Sequence, residues 1–252
     1  MMISIIITSF NSSETISTTL DSLLNQSSDK FECVFVDGGS SDGTAEILKN
    51  YLLRFESRGI RTKLVSEPDN GIYDAWNKGL KLASGQFVAF LNSDDWYDIG
   101  VIEKVAKITS VSSDIRVVAG ILMMTSIEGK SLGTRKHKYV KFKSVYQMPL
   151  LFPALFVHKS LYEKSNGFDN SFRLSGDYNF VMSTYPYWKN SILIDDDVKV
   201  FMRRGGITSS IKYIRIGLIE DFKILLKHRP YSALIAILGK ALIKSIIVIR
   251  NK

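Results

Sequence analysis

An α/β fold built on a doubly wound, mostly parallel sheet is what this sequence predicts, and three observations predict it. Short β-branched runs alternate with stretches of helical period through the first hundred residues. A cluster of turn-forming polar residues closes each run. The chain has 252 residues and is 45% hydrophobic, enough for one large core with or without an appendage.

Ile3-Ser4-Ile5-Ile6-Ile7 has the composition of a strand covered on both faces. Ser12 or Ser13 can cap the next helix, with Glu14 in its first turn, and Ile16, Leu20, Leu23 and Leu24 share one face. Phe31 to Val36 reads as a second strand and Asp37 to Gly43 as a turn, in which Asp42 can cap the helix carrying Ile47, Leu48, Tyr51, Leu52 and Phe55. Lys63 to Ser66 is a third strand, Pro68-Asp69-Asn70-Gly71 breaks the chain, and a helix over Ile72 to Ala83 ends at Ser84-Gly85. Phe87 to Leu91 is a fourth strand, running into Asn92-Ser93-Asp94-Asp95. Sheets of this kind bind ligands beyond the carboxyl ends of their strands. Thr8 to Asn11, Asp37 to Asp42, Glu67 to Gly71 and Asn92 to Asp95 all fall there.

Charge divides the chain unevenly. From Lys199 onward twelve Lys or Arg face two acids, so +10 of charge lies there and −2 in the rest of a chain of net +8. In the tail, Ile211, Ile214, Leu218, Phe222, Leu225 and Leu226 recur at helical spacing. Pro230 interrupts, and Leu234 to Ile249 is apolar except for Gly239, Lys240, Lys244 and Ser245, too short and too charged to span a bilayer. A helix lying in the interface of an anionic membrane fits this pattern; a dimerisation helix or one packed on the body is the alternative. The tail is mainly aliphatic, whereas single-strand binders interleave aromatics and polar groups with their charges, so a nucleic-acid partner is not expected. The single cysteine, Cys33, sits in an apolar run, which excludes an internal disulfide framework and fits a buried residue. Ile3 to Ile7 is too short for a signal peptide and lacks a basic flank, so a cytoplasmic body is expected, peripheral on the inner face of the cell membrane.

Two loops carry the chemistry. Acidic groups at the mouth of the fourth strand suit a hard divalent cation held together with phosphates, although turn formation and capping would also use them, and Asp98 just beyond reads as a cap for the next helix. The glycines of Asp37-Gly38-Gly39-Ser40-Ser41-Asp42-Gly43 allow backbone to approach a ligand. The spacing G-x-G-x-x-G is absent, and no glycine follows the first strand in Thr8-Ser9-Phe10-Asn11, which disfavours a nucleotide-dependent oxidoreductase. Asp195-Asp196-Asp197 reads as a solvated turn before a strand from Val198 to Met202, since adjacent side chains on an extended segment alternate. His137, His158 and His228 are scattered and suggest no shared role.

Four ordered segments together resemble the family 2 glycosyltransferases of the GT-A fold. They are Ile5 to Asn11, Val36 to Thr44, Glu67-Pro68-Asp69-Asn70-Gly71-Ile72-Tyr73-Asp74-Ala75-Trp76-Asn77-Lys78-Gly79, and Gly85 to Trp96. The set is most similar to the bacterial polysaccharide branch: colanic acid, capsule and O-antigen transferases. The resemblance implies a nucleotide-diphosphate sugar donor, a divalent metal (Mn²⁺ or Mg²⁺) and an acceptor that is a lipid-linked glycan or an oligosaccharide. It implies donor-binding roles for Thr8, Phe10, Asn11, Asp37, Asp69, Lys78, Asn92 and Ser93, and metal ligation by Asp94 and Asp95, with Asp94 foremost. Asp69 also reads as a turn residue and Lys78 as the (i, i+4) partner of Asp74.

In Ser175-Gly176-Asp177-Tyr178 the resemblance makes Asp177 the catalytic base of an inverting transfer; a helix N-cap is the alternative reading. Three departures stand out. Gly38 replaces a second aspartate, Asn92 replaces the first aspartate of the acidic motif, and Phe152-Pro153 replaces a polar, histidine-containing pair. Residues 1–205 are thus expected to form the transferase domain, with 1–97 as the nucleotide-sugar half and 98–205 as the acceptor half. Residues 206–252 are expected to form a basic amphipathic tail. A catalytically inactive nucleotide-sugar-binding module is the rival reading, and oligomerisation is compatible with all of this.

Overall fold

The computed structural model describes residues 2–137, 150–204 and 211–230. The first half runs β1 (Ile3–Ser9), α1 (Ile16–Leu24), β2 (Phe31–Asp37), α2 (Thr44–Ser57), β3 (Arg61–Ser66), α3 (Ile72–Leu82) and β4 (Phe87–Asn92). The second half runs β5 (Trp96–Tyr97), α4 (Val101–Val111), β6 (Val117–Thr125), β7 (Ser131–Arg135), β8 (Leu155–His158), α5 (Lys159–Ser165), α6 (Gly176–Trp188), β9 (Ile192–Arg203) and α7 (Ile211–His228).

Among the described residues one sheet carries the order β3-β2-β1-β4-β8-β6-β9-β5, with β7 added beside β6. The strands β3, β2, β1 and β4 are all parallel. Antiparallel pairs enter only in the second half, at β4–β8, β6–β8, β6–β7 and β5–β9. The predicted α/β class and parallel nucleotide-side sheet are therefore present.

Alternation along each strand splits the core in two. Ile3, Ile5, Ile7, Cys33 and Phe35 face α1, α2 and α4, while Ile6, Val34 and Val36 face α3, α5 and α6. Every residue of β1 and β2 is buried, which explains their largely apolar composition. Each such side chain contributes about 1.5–3 kcal/mol by burial, so the rim they support is rigid.

Three local expectations are corrected. α1 begins at Ile16 with Thr15 at its cap and no side-chain cap bond. Ser12 and Ser13 are instead drawn toward the next loop, where their backbone N–H groups donate to Thr44 Oγ1 (2.8 Å) and Asp42 Oδ2 (2.9 Å). The acidic run is no turn before a strand but lies within β9. There β6 advances two residues, Ala119 to Ile121, while β9 advances five, Ile194 to Lys199, so the three aspartates bulge out of the ladder. Asp195 and Asp197 reach Lys104, and Asp196 reaches Lys136 on the other side. Asp98 does not cap α4; Gly100 holds that position.

α7 carries the predicted stripe in part: Ile214, Leu218 and Phe222 are half-buried, and the side chain of Ile211 lies outside the described residues. Ile224 and Leu225 are fully buried against Tyr178 and Met182 of α6, whereas Leu226 is exposed. The boundary at residues 205–206 and the apolar stretch from 234 to 249 lie outside the described residues. Among the described residues no helix is long and apolar enough to cross a membrane.

Candidate active site

Strand register alone assembles the predicted loops. Thr8 lies opposite Asn92, Ser9 opposite Asp37, and Asp37 opposite Ser66. The carboxyl ends of four parallel strands thus present one row of polar groups.

Asp37 is its centre and is fully buried. Its Oδ1 accepts from Ser9 Oγ (3.2 Å) and Ser40 Oγ (2.5 Å); its Oδ2 accepts from Ser40 N (3.0 Å) and Ser66 Oγ (2.8 Å). Burial pushes the carboxyl up, but these donors outweigh it and hold it below the usual aspartate range. All four lone-pair sites are taken, so Asp37 is committed to fixing the loop. Asn11 helps, in a left-handed conformation (φ 48): its N donates to Ser40 Oγ and its Oδ1 accepts from Ser41 N. Phe10 is 64% exposed beside them, an uncovered ring at the rim.

Gly38 has a structural counterpart. A Cβ there would stand 2.5 Å from Asp69 Oδ2, so the Asp69 carboxylate fills the space a side chain at 38 would take. Lys78, predicted to meet the donor, holds the same loop: Nζ donates to Pro68 O (2.8 Å) and pairs with Glu67 (2.9 Å) more closely than with Asp74 (3.9 Å).

The acidic motif divides its labour. Asp95 is 1% exposed and turns into the fold, accepting from Asn92 Nδ2 and from Arg203 N, both at 3.1 Å. Burial, and then Asp94 beside it, push its pKa up to about 7. Ser93 Oγ donates to Ser12 Oγ (2.7 Å). Asp94 is partly buried, its pKa raised by desolvation and eased by its own N–H and the nearby Arg203 charge. Among the described residues no cluster of three or more acid, histidine or cysteine side chains could cage a metal. A single desolvated carboxylate at a strand mouth suits instead an ion shared with the ligand's phosphates, the way Mg²⁺ is commonly held. The residues present fit such an ion, which Asp94 would hold.

Asp177 stands in the first turn of α6, after Ser175 at the cap position, which makes no side-chain cap bond. Desolvation pushes its pKa up to about 6, although Tyr178 N (2.8 Å) and Tyr73 Oη (3.2 Å) both donate to Oδ1 and pull it down; Asp221 adds to the rise. Gly176 makes room for that contact, since a Cβ there would meet the Tyr73 ring at 2.8 Å.

α3 joins the two ends of the site. Trp76 Nε1 donates to Thr8 Oγ1 (3.3 Å) on the strand row, and Tyr73, one turn earlier, donates to Asp177. Trp76 stacks on Phe152 (5.2 Å), so the residue that replaces a polar one packs an aromatic floor under the site. A cleft of about 410 Å³ opens beside Tyr73, lined by residues 70–74 and 170–173. Sequence reasoning gave no role to Tyr73, Trp76 or Arg203. The first two lay inside a quoted motif; the third stands just beyond the strand predicted over Val198 to Met202 and is the last residue of β9.

Polar loops at parallel strand ends, a desolvated aspartate at the rim and a second one raised to about 6 are what an α/β enzyme that binds its ligand beyond the strand ends presents. Residues 4–156 match the family model described as Glycosyl transferase family 2, and the chain belongs to that family. A PGL/p-HBAD biosynthesis glycosyltransferase of Mycobacterium tuberculosis is 29% identical over 180 residues, covering 71% of this chain and 68% of the relative. A poly(ribitol-phosphate) beta-glucosyltransferase of Bacillus spizizenii is 28% identical over 235 residues, covering 88% of this chain but 36% of the relative. S. aureus TarS in complex with UDP-GlcNAc shares the fold at TM-score 0.70 and 21% identity, over 91% of this chain and 68% of that one. A mannosyltransferase of Pyrobaculum calidifontis, in complex with GDP-Man and Mn²⁺, shares it at TM-score 0.62 and 18% identity, over 95% and 64%. The GT-A expectation is thereby met, and the chain is a glycosyltransferase similar to those of bacterial glycan synthesis.

Proposed function

We propose that the chain transfers a sugar from a nucleotide diphosphate donor to a hydroxyl of a lipid-linked glycan or oligosaccharide, with inversion at the anomeric carbon. The observation that carries this reading is the pairing through α3 of a strand-end row with a carboxyl whose pKa is about 6. A base of that pKa is ionised at neutral pH and still basic enough to take a proton. Asp177 accepts the acceptor hydroxyl's proton as that oxygen attacks the anomeric carbon from the face opposite the diphosphate. The bond to the diphosphate oxygen breaks in the same displacement, which inverts the centre. Phe10 stacks on the nucleobase, and the Asp37 loop and Asp69 hold the nucleoside. A divalent ion, when bound at Asp94, neutralises phosphate charge.

The uridine and guanosine complexes of similar folds support a nucleoside diphosphate donor of one of these kinds. A screen of nucleotide sugars for hydrolysis, with and without Mn²⁺ or Mg²⁺, tests the reading. Metal-stimulated release of one nucleoside diphosphate is expected; binding of a donor without any hydrolysis would leave an inactive binding module, and no binding of any donor would overturn the reading.

The basic tail supports a further part of this proposal, a body held at the cytoplasmic face of an anionic membrane. Lys240→Glu with Lys244→Glu in the full chain is expected to abolish sedimentation with phosphatidylglycerol vesicles. Undiminished sedimentation would contradict it.

A further inference from the structure

The turn that leads into α6 is built from the far end of the chain. Three consecutive backbone N–H groups, of Arg173, Leu174 and Ser175, all point at one carboxylate on α7. Arg173 N donates to Glu220 Oε1 (2.7 Å), and Leu174 N and Ser175 N donate to Oε2 (2.8 and 2.9 Å). Asp221, the next residue, accepts from Ser175 Oγ (2.9 Å). Glu220 is 7% exposed. Burying a carboxylate is costly, and three N–H donors are what make it tolerable.

Composition sharpens the point. Glu220 and Asp221 are the two acids among the residues from Lys199 to the end, against twelve cations. Both are committed to this turn. The rest of α7 is docked in register with it: Ile224 and Leu225 pack on Tyr178 and Met182, and His228 Nε2 lies 3.0 Å from Asn179 Oδ1.

Ser175 is two residues before Asp177. Its backbone and its hydroxyl are both held by α7, so the direction in which α6 starts, and with it the Asp177 carboxyl, is set by Glu220. We propose that Glu220 is a positioning residue for the transfer reaction, and that α7 is part of the frame of the active site. This rests on Asp177 being the base.

Glu220→Gln in the full chain keeps the shape but faces the three N–H groups with at most one acceptor. Turnover per donor-binding site is expected to fall about 10- to 100-fold, the cost of a base misplaced by about an ångström. The donor KM should stay within about twofold, because the strand-end row is untouched. Asp177 would be freer to meet water, so the acid limb of the rate profile should move below its parental midpoint near 6. Tyr73 and Asp221 face Asp177 and remain in place. Glu220→Asp, which keeps the charge on a shorter arm, should recover part of the loss. A folded Glu220→Gln with parental turnover and midpoint overturns the proposal. Failure of both variants to fold also overturns it, making Glu220 a structural anchor only. Asp177→Asn separates the two ideas: if it retains parental turnover, base and positioning fall together. If it is inactive while Glu220→Gln is parental, the positioning role alone falls.

Discussion

Asp37 and Asp177 are both enclosed carboxylates, and the molecule treats them in opposite ways. Asp37 collects four hydrogen bonds from three serines, one of them through its backbone as well, and stays below the usual aspartate range despite burial. Asp177 collects two, from Tyr178 N and Tyr73 Oη, and burial carries it up to about 6. Saturated acceptors have nothing left to offer a substrate proton; a desolvated, half-satisfied one does. On the proposed function, the donor side of the site is thus a fixed mould and the acceptor side a reactive group on a supported turn.

The first way to break this contrast is at Asp94, the acid on the donor side that accepts no hydrogen bond from another residue's N–H or O–H among the described residues. Asp94→Ala is expected to abolish turnover and the divalent-dependent part of donor binding, read by calorimetry with a nucleoside diphosphate with and without Mn²⁺. Metal-dependent binding of parental strength in the variant would remove Asp94 from the ion's shell.

Tyr73→Phe sharpens the contrast from the other end. Its hydroxyl lowers the pKa of Asp177, so its loss should raise the acid limb of the rate profile above the midpoint near 6. Turnover at neutral pH should fall several-fold, in the range of one lost hydrogen bond of about 0.5–1.5 kcal/mol. A limb that stays put, or moves down, would mean that Asp177 is not the group being read.

The smallest effect on catalysis, and the largest on stability, is expected at Asp37. Asp37→Asn can accept at fewer of the four positions and should cost about 1–3 kcal/mol. The sign with pH follows from the lowered folded value. The stabilisation is complete above the unfolded value near 4 and is lost as pH falls through the folded value below it. Melting curves of parent and variant should therefore differ most at pH 7 and converge in strong acid. A gap that is constant across pH would contradict an ionised Asp37.

Much of the donor side was legible in the sequence because it is local. β-branched runs mark strands, each polar cluster follows its own strand, and parallel register does the rest, aligning Thr8, Asn92, Ser9, Asp37 and Ser66. The acceptor side was legible only in part because its contacts are long-range. Tyr73 meets Asp177 across 104 positions, and Glu220 meets the 173–175 turn across more than forty. No periodicity encodes such meetings. The acidic run in β9 misled for a related reason: adjacent aspartates look like a turn, and only pairing with β6 shows a bulge inside a strand. Asp69 and Gly38 show a compensation that one sequence cannot display, since the missing side chain at 38 and the carboxylate that fills its place lie in different loops.

The most direct test of the whole account is turnover and donor affinity measured together for Asp177→Asn at pH 8. A base acts on the proton in transit, so its loss should lower turnover by about 10² to 10⁴. Donor affinity should stay at the parental value, and the melting temperature should not fall, because the variant no longer has to ionise a desolvated carboxyl. Near-parental turnover in a folded Asp177→Asn would contradict the account, and so would a loss confined to donor binding.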